Sequence, residues 1–208
     1  LEGPLGELEY NVSSGSLVFV EGAAGSGKTV LLRKLAEELG GKVVYADCSA
    51  GEIDVRSIMR RKTSLLDKLL GRRPKNIVLM IDSTASLSAN TMDLLKYHYD
   101  NNSFGSIIFA GASLKSARLS PALVDRIGSR IVKLRQLAEE DAVVMVRKRL
   151  DSLGPSGSSN ILGDDAVRRL YKMSGKNSAK LLQLCEKACK AAVASKSSEV
   201  NDELLVKM

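Results

Sequence analysis

The sequence has few aromatic residues, with three Phe, five Tyr and no Trp among its 208 residues. Proteins that hold single-stranded nucleic acid without sequence preference rely on stacking of bases on aromatic side chains. This chain offers little material for such a stacking platform. We therefore expect any contact with nucleic acid to act mainly through phosphate groups.

Cysteines and long apolar runs are also scarce. The three cysteines, Cys48, Cys185 and Cys189, have no metal-ligand spacing, which favours a reducing compartment. No apolar run approaches the roughly 20 residues that span a bilayer. The N-terminus is acidic and lacks the apolar stretch of a signal peptide. These features predict a cytoplasmic protein with no membrane partner.

Positive charge, in contrast, is abundant, and the formal net charge is +7. Such a balance favours contact with a polyanion, although a solvated basic surface would give the same count. The densest positive region runs along one predicted helix into a basic turn, where acids such as Asp54 and Asp67 also lie. The candidate DNA-contacting residues are Arg56, Arg60, Arg61, Arg72 and Arg73.

Short β-rich apolar runs alternate with helical patterns over the first two thirds of the chain. This alternation predicts an α/β fold in which a parallel sheet is covered by helices on both faces. After Arg135 only helical patterns follow, so we predict a core domain over 1–135 and a small all-helical lid over 136–208. The predicted strands are 17–20, 43–46, 77–81, 106–110 and 130–134, and the predicted helices are 29–39, 53–70, 91–99, 121–127, 138–153, 164–173, 178–194 and 201–208.

A glycine-rich segment separates the first strand from the first predicted helix and matches G-x-x-x-x-G-K-[ST]. Its glycines allow successive backbone N–H groups to turn toward one anion, and the helix N-terminus adds partial positive charge. We expect Lys28 to reach the β- and γ-phosphates of ATP or ADP, and the Thr29 hydroxyl to coordinate Mg²⁺. The predicted nucleotide-binding residues here are Gly22, Ala23, Ala24, Gly25, Ser26, Gly27, Lys28, Thr29 and Val30.

A second acidic position is needed beside such a loop to hold the water shell of Mg²⁺. Asp82 ends the most apolar predicted strand and is the candidate. Many hydrolytic enzymes of this architecture place a Glu directly after that Asp to orient the attacking water, whereas this chain has Ser83. Asp47 or Glu52, at the end of the second strand, is a candidate substitute base. A solvated loop acid is the alternative interpretation of Glu52.

With the phosphate loop, Asp82, five strands and helical lid together, the chain resembles the AAA+ superfamily of P-loop ATPases. The resemblance is closest to the initiator branch, the origin-recognition proteins of archaea, and to related clamp-loader and transposition ATPases. It implies the strand order 5-1-4-3-2 for a three-layer P-loop NTPase sheet.

The resemblance also implies roles for residues outside the phosphate loop. Ser113, after the fourth strand, matches the polar sensor residue that touches the γ-phosphate or its water. Arg130 fits the Ser-Arg pattern of the arginine that acts on a neighbouring subunit, with Arg126 as second choice and an intramolecular ion pair as the alternative. In the lid, the family's phosphate-sensing arginine falls on Ala179, so Lys180 would take that role as a point charge.

Two functions remain open on the sequence alone. The first is a slow AAA+ ATPase that acts on or near DNA through nucleotide-dependent assembly, as a homo-oligomer. The second is a non-hydrolysing ATP/ADP switch that docks a protein partner. The missing Glu after Asp82 and the missing Arg at position 179 favour weak hydrolysis, whereas the basic charge and Arg130 favour the first function.

Overall fold

A computed structural model describes residues 2–49, 51–62, 75–152, 161–195, 197 and 199–200. The chain divides into two units, of which one joins Leu1–Ala23 to Gly27–Leu134 and the other joins Ala24–Ser26 to Arg135–Met208. The predicted helix over 53–70 is described only in its first part, and the predicted helix over 201–208, Arg72 and Arg73 lie outside the described residues.

The first unit, here called the sheet unit, contains five strands and five longer helices among its described residues. The helices are α1 (Glu2–Ser13), α2 (Lys28–Leu39), α3 (Val55–Lys62), α4 (Ala89–Asp100) and α5 (Pro121–Ile127). The strands are β1 (Leu17–Gly22), β2 (Val43–Asp47), β3 (Ile77–Asp82), β4 (Phe104–Gly111) and β5 (Ile131–Leu134). Short 3₁₀ turns occupy Gly40–Lys42, Thr84–Ser86 and Lys115–Ala117.

All neighbouring strands of the sheet are parallel, in the order β2-β3-β4-β1-β5. This is the predicted order 5-1-4-3-2 in the opposite direction, so the predicted fold class is confirmed. Every residue of β3 is buried, as expected for a central parallel strand covered on both faces. The carboxyl ends of β1, β2, β3 and β4 lie side by side, with Asp47 paired to Asp82 and Glu21 paired to Gly111.

Successive side chains of a strand point to opposite faces, and the core of the sheet unit is split accordingly. One face carries Phe19, Leu79 and Phe109 against α3, α4 and α5. The other face carries Val20 and Met80 against α1 and α2. The sheet unit thus has three layers, and the phosphate loop lies between β1 and α2.

Helix α1 was not predicted from the sequence. Gly3 and Gly6 lower its helix propensity, and Leu5 and Leu8 are the hydrophobic residues that it buries against the sheet. Tyr10 lies on the solvent side of this helix and is 72% exposed.

The second unit, here called the helical unit, contains α6 (Glu139–Asp151), α7 (Asp164–Met173) and α8 (Ser178–Ala194). Its core includes Val146, Leu170, Tyr171 and Leu181, all buried. The hydroxyl of Tyr171 donates to the carbonyl oxygen of Leu137 at 2.7 Å. Among the described residues of this unit, every regular element is a helix.

The longest helix in the described part of the chain is α8, with 17 residues. No helix there combines the length and the apolar character that crossing a bilayer requires.

Candidate nucleotide-binding site

The phosphate loop turns through two glycines with left-handed backbone geometry. Gly25 has φ +77° and Gly27, the N-cap of α2, has φ +94°. A side chain at either position would strain the turn, because L-residues rarely adopt these angles. The backbone therefore requires glycine at positions 25 and 27, and the sequence has glycine at both.

Ser26 supplies a test of whether this loop fits a phosphate. The residue is 8% exposed, and its Oγ has no hydrogen-bond partner among the residues that the structure describes. A buried hydroxyl without a partner costs free energy unless another group satisfies it. A phosphate oxygen is a suitable acceptor, so the loop fits a nucleoside phosphate.

The Lys28 side chain extends from the first residue of α2 toward the start of the loop. Its ammonium group donates to the carbonyl oxygens of Gly22 at 2.6 Å and Ala23 at 2.9 Å. Burial lowers the pKa of Lys28, and the charge of Asp82 opposes part of that shift. The lysine is thus a half-buried cation that lies against the phosphate loop.

Asp82 brings together three elements at the end of β3. Its Oδ2 accepts a hydrogen bond from the Thr29 hydroxyl at 2.6 Å and another from the Tyr45 hydroxyl at 2.8 Å. Asp82 is only 5% exposed, and a buried carboxylate needs such donors. Burial, followed by the hydrogen bond to Asp82, raises the pKa of Tyr45 to about 12.

The oxygen atoms of Asp82 and Thr29 suit Mg²⁺, which needs few protein ligands. They are too few for a metal ion that is ligated only by protein side chains. Within the described ranges, no cluster of three or more His, Cys, Asp or Glu side chains gathers in a metal-binding arrangement. Mg²⁺ usually binds through one or two carboxylates together with substrate phosphates and water. Asp82 and Thr29 would supply the protein's part of that shell.

Glu52 is held at the start of α4. Its Oε1 accepts hydrogen bonds from the Ser88 backbone N–H at 3.0 Å, from the Ser88 hydroxyl and from the Thr91 hydroxyl. These bonds lower the pKa of Glu52, the Ser88 hydroxyl being the largest cause. Negative charge at a helix N-terminus is favourable, so a structural capping role accounts for this geometry.

Ser83, where many hydrolytic relatives carry a Glu, adopts φ +68° and ψ +73°. Non-glycine residues in this left-handed region are uncommon and concentrate at functional sites. The next residue, Thr84, begins the short Thr84–Ser86 turn. The residue that follows Asp82 along the chain therefore carries a hydroxyl group in place of a carboxylate.

The predicted sensor Ser113 lies just beyond β4. Its hydroxyl is 2.9 Å from the Ser116 hydroxyl, so it takes part in a local turn. Glu21, at the end of β1, accepts a hydrogen bond from the Leu114 backbone N–H at 3.0 Å. This bond ties the strand that carries the phosphate loop to the segment that contains Ser113.

Both candidate arginines at the end of α5 are exposed and have intramolecular partners. Arg126 forms an ion pair with Asp100 at 2.8 Å. The guanidinium of Arg130 donates to the carbonyl oxygens of Arg126 at 2.8 Å and Ile127 at 3.3 Å. Arginine is a fitting partner for these carbonyls because cations are stabilised at helix C-termini.

Val30 and Lys180 lie in different units. Val30 follows Thr29 on α2 and is 59% exposed. Lys180 lies in the first turn of α8, where its backbone N–H donates to the Asn177 side chain at 3.0 Å. Its own side chain is exposed.

Sequence reasoning missed Tyr45 and Glu21 as site residues. Tyr45 is two residues before Asp47 on β2, so it shares a sheet face with that strand end. Glu21 immediately precedes the first glycine of the phosphate loop. The available signal was that both are polar residues near the carboxyl end of a strand.

The fold and the Lys28–Thr29–Asp82 arrangement define this chain as a P-loop nucleotide-binding protein. The chain belongs to the family described as AAA domain, whose model matches residues 14–138, more than half of the chain. This confirms the AAA+ expectation, and membership of the family implies nucleotide binding. No curated protein matches the sequence.

Several solved structures share the fold at low identity. Cdc6p from Pyrobaculum aerophilum is 14% identical with a TM-score of 0.72, and the match covers 96% of this chain and 63% of that one. RuvB from Thermotoga maritima, a Holliday junction branch migration motor, is 21% identical with a TM-score of 0.71 and coverages of 99% and 66%. Orc1 from Aeropyrum pernix, solved in complex with DNA, is 18% identical with a TM-score of 0.67 and coverages of 99% and 63%. This chain spans less than two thirds of the length of each.

Proposed function

We propose that this chain is a cytoplasmic AAA+ protein that binds ATP or ADP with Mg²⁺, hydrolyses ATP slowly, and acts as an assembly factor on or near DNA. The observation that carries the nucleotide site is the 2.6 Å bond between the Thr29 hydroxyl and Asp82. It joins the helix that follows the phosphate loop to the end of β3. Lys28 lies at the start of the same helix.

Each residue has a separate task in this proposal. The loop amides and the Ser26 hydroxyl donate to phosphate oxygens, and Lys28 places a positive charge beside them. Thr29 and Asp82 hold Mg²⁺, which when bound would neutralise charge on the phosphates. Ser113 and Lys180 remain predicted sensors of the terminal phosphate, and Val30 a predicted contact to the nucleotide.

Nucleotide binding is tested by replacing Lys28 with Ala. We expect the affinity for MgATP, measured by isothermal titration calorimetry, to fall on the order of a hundredfold, because the main positive charge at the phosphates is lost. Lys34→Ala is the matched control, since Lys34 is an exposed lysine on the same helix. Undiminished binding in Lys28→Ala would overturn the assignment of the site.

Slow hydrolysis follows from the surroundings of Asp82. Ser83 follows Asp82, and Glu52 is engaged at the N-terminus of α4, so neither supplies a free carboxylate to orient water. The same observation favours the second candidate function, a switch that binds ATP or ADP and docks a protein partner without turnover. If Glu52 is the base despite its capping bonds, Glu52→Gln will abolish the residual hydrolysis.

Single-turnover hydrolysis of radiolabelled ATP separates the two functions. A slow ATPase releases phosphate at a measurable rate that disappears in Lys28→Ala, whereas a switch retains intact ATP. The assay is to be run with and without DNA, because assembly on DNA is expected to raise the rate. Release of phosphate that persists in Lys28→Ala would point to a contaminating enzyme.

The DNA part of the proposal is supported by the basic helix α3. Arg56, Arg60 and Arg61 are exposed, and among the described residues their one ion pair joins Arg60 to Asp54 at 4.0 Å. A weakly paired row of cations can neutralise phosphates and release counterions. Arg72 and Arg73 complete the predicted surface, but they lie outside the described residues.

This part is tested by the salt dependence of DNA binding. We expect Arg60→Ala/Arg61→Ala to weaken binding to duplex DNA and to reduce the salt slope by about two, because about one unit is lost per phosphate contact. Lys148→Ala/Lys187→Ala removes the same charge from exposed positions of the helical unit and should change little. Equal losses in both double variants would indicate a net-charge effect instead of a binding surface.

Assembly is tested at Arg130, the predicted arginine that acts on a neighbouring subunit. Arg130→Ala should abolish ATP-dependent oligomers in size-exclusion chromatography, while leaving ATP affinity of the monomer unchanged. Arg126→Ala is the comparison variant, because Arg126 is paired with Asp100. Oligomers that form equally well without Arg130 would remove this arginine from the proposal.

A further inference from the structure

Tyr45 contacts the proposed magnesium carboxylate from a strand that the phosphate-loop motif does not include. Its hydroxyl lies 2.8 Å from Asp82 Oδ2, across 37 positions of sequence. Strand β2 pairs with β3 in a register that places Tyr45 opposite Met80 and Asp47 opposite Asp82. The long phenol side chain spans this offset of two residues.

Two hydroxyl donors meet on one carboxylate oxygen. Thr29 and Tyr45 both donate to Oδ2 of Asp82, and no described residue donates a hydrogen bond to Oδ1. Donors that approach from α2 and from β2 restrict rotation of the carboxylate about its last torsion. Oδ1 is thereby left for a ligand other than the protein.

The two donors differ in what they do once a cation binds. The Thr29 hydroxyl oxygen belongs to the phosphate-loop motif and is expected to ligate Mg²⁺ itself. Tyr45 lies outside that motif, and its phenol reaches the same carboxylate oxygen from β2, the strand beside β3. A phenol at this place can hold the carboxylate in position, as groups around a metal site orient the ligands that touch the metal.

We propose that Tyr45 is a positioning residue whose hydroxyl fixes the Asp82 carboxylate for the Mg²⁺–nucleotide complex. This inference rests on the proposed nucleotide-binding function. In this proposal Tyr45 contributes to the gain in ATP affinity that Mg²⁺ produces. The affinity for ATP without Mg²⁺ depends on the phosphate loop and not on Tyr45. The relevant readout is therefore the ratio of ATP affinities with and without Mg²⁺.

The test compares wild type with Tyr45→Phe in calorimetric titrations of ATP, in excess Mg²⁺ and in EDTA. We expect affinity in Mg²⁺ to fall on the order of tenfold, which corresponds to loss of one hydrogen bond to a charged group. Affinity in EDTA should stay within about twofold, because no phosphate contact is removed. The Mg²⁺ concentration at half-maximal ATP binding should rise to a similar extent.

Tyr99→Phe is the matched control, because Tyr99 also donates its hydroxyl within the sheet unit, to the Gly15 carbonyl oxygen at 2.7 Å. This variant should leave the Mg²⁺ effect unchanged. In an Asp82→Asn background, Tyr45→Phe should add little further loss of Mg²⁺ coupling, since the two groups act as a pair. Melting temperatures of all variants without nucleotide show whether each retains its fold.

The outcomes separate this inference from the proposed function. A wild-type protein that binds no ATP under either condition overturns the nucleotide site, and Tyr45 with it. If wild type binds ATP and Tyr45→Phe shows the same ratio of affinities with and without Mg²⁺, the role of Tyr45 is overturned. The nucleotide site then stands. Equal losses in Mg²⁺ and in EDTA, or an equal effect of Tyr99→Phe, would show that Tyr45 only supports the fold.

Discussion

The sheet unit and the helical unit place their polar contacts in different surroundings. In the sheet unit, hydroxyl groups from α2 and β2 converge on a single buried carboxylate, Asp82. In the helical unit, charged pairs such as Arg168 with Glu140 and Arg147 with Asp164 lie exposed between α6 and α7. Both sets consist of ordinary hydrogen bonds and ion pairs.

The difference shows that burial decides whether a polar contact fixes the orientation of a side chain or exchanges with water. A buried carboxylate has few alternatives to its protein donors, so those donors fix its orientation. An exposed ion pair exchanges readily with water and contributes little to stability. We therefore expect the sheet unit's polar contacts to matter for ligand binding, and both units to owe their stability mainly to apolar burial.

The largest effect on stability should come from a buried aromatic residue of the sheet. Phe19 is fully buried in the face that packs against α3, α4 and α5. Phe19→Ala should lower the free energy of unfolding by about 3–5 kcal/mol, because it leaves a cavity in a close-packed core. Denaturant titration measures this change, and Val193→Ala, at a position 68% exposed, is the control. Similar values for the two variants would contradict the dominance of apolar burial.

A smaller effect is expected at the buried polar contact of the helical unit. Tyr171→Phe removes the hydroxyl that donates to Leu137 at 2.7 Å and leaves the ring in place. The free energy of unfolding should fall by about 1 kcal/mol, the usual net value of such a bond. Urea denaturation followed by circular dichroism is the measurement. An unchanged midpoint would mean that water replaces the phenol at this carbonyl.

The smallest effect is expected at the exposed Arg168–Glu140 pair. A hydrogen bond from Arg168, followed by its positive charge, lowers the pKa of Glu140 in the folded state. The stabilisation is therefore fully present above the unfolded pKa of about 4.3 and is lost as the pH falls through the lower folded value. Arg168→Gln should lower the melting temperature slightly at pH 7.

The same variant supplies its own pH control. The difference between wild type and Arg168→Gln should shrink as the pH falls below about 4, because Glu140 becomes protonated in both proteins. It should also shrink at high salt, since exposed charges are screened. A difference that stays constant from pH 7 to pH 3 would show that Arg168 acts through packing of its side chain.

Local patterns predicted most of the regular structure. The five apolar runs became the five strands, and α2 ends at Leu39, as the predicted range 29–39 does. Helix α1 was missed because Gly3 and Gly6 obscure its short apolar stripe, whose burial against the sheet comes from tertiary packing. The strand order was implied by the family resemblance, not by any local signal.

Some residues of the site were predicted from local sequence, and the contacts of others were not. Lys28 and Thr29 were predicted because the motif fixes their distance from the glycines, and Asp82 because it ends the most apolar strand. The contacts of Glu52 with Ser88 and Thr91 were not predicted, since 36 and 39 positions separate them in sequence. The contact of Tyr45 with Asp82 was missed for the same reason.

The sequence by itself determined the phosphate loop and the alternation of strands and helices, because glycine spacing and apolar periodicity act between near neighbours. Only the tertiary structure decided which side chains reach Asp82 and which carboxylate accepts hydrogen bonds from Ser88, the N-cap of α4. The contact of Tyr45, for example, depends on β2 lying beside β3, and side-chain hydrogen bonds reach only about 3 Å. Groups that are distant in sequence come within that reach only when the sheet has formed.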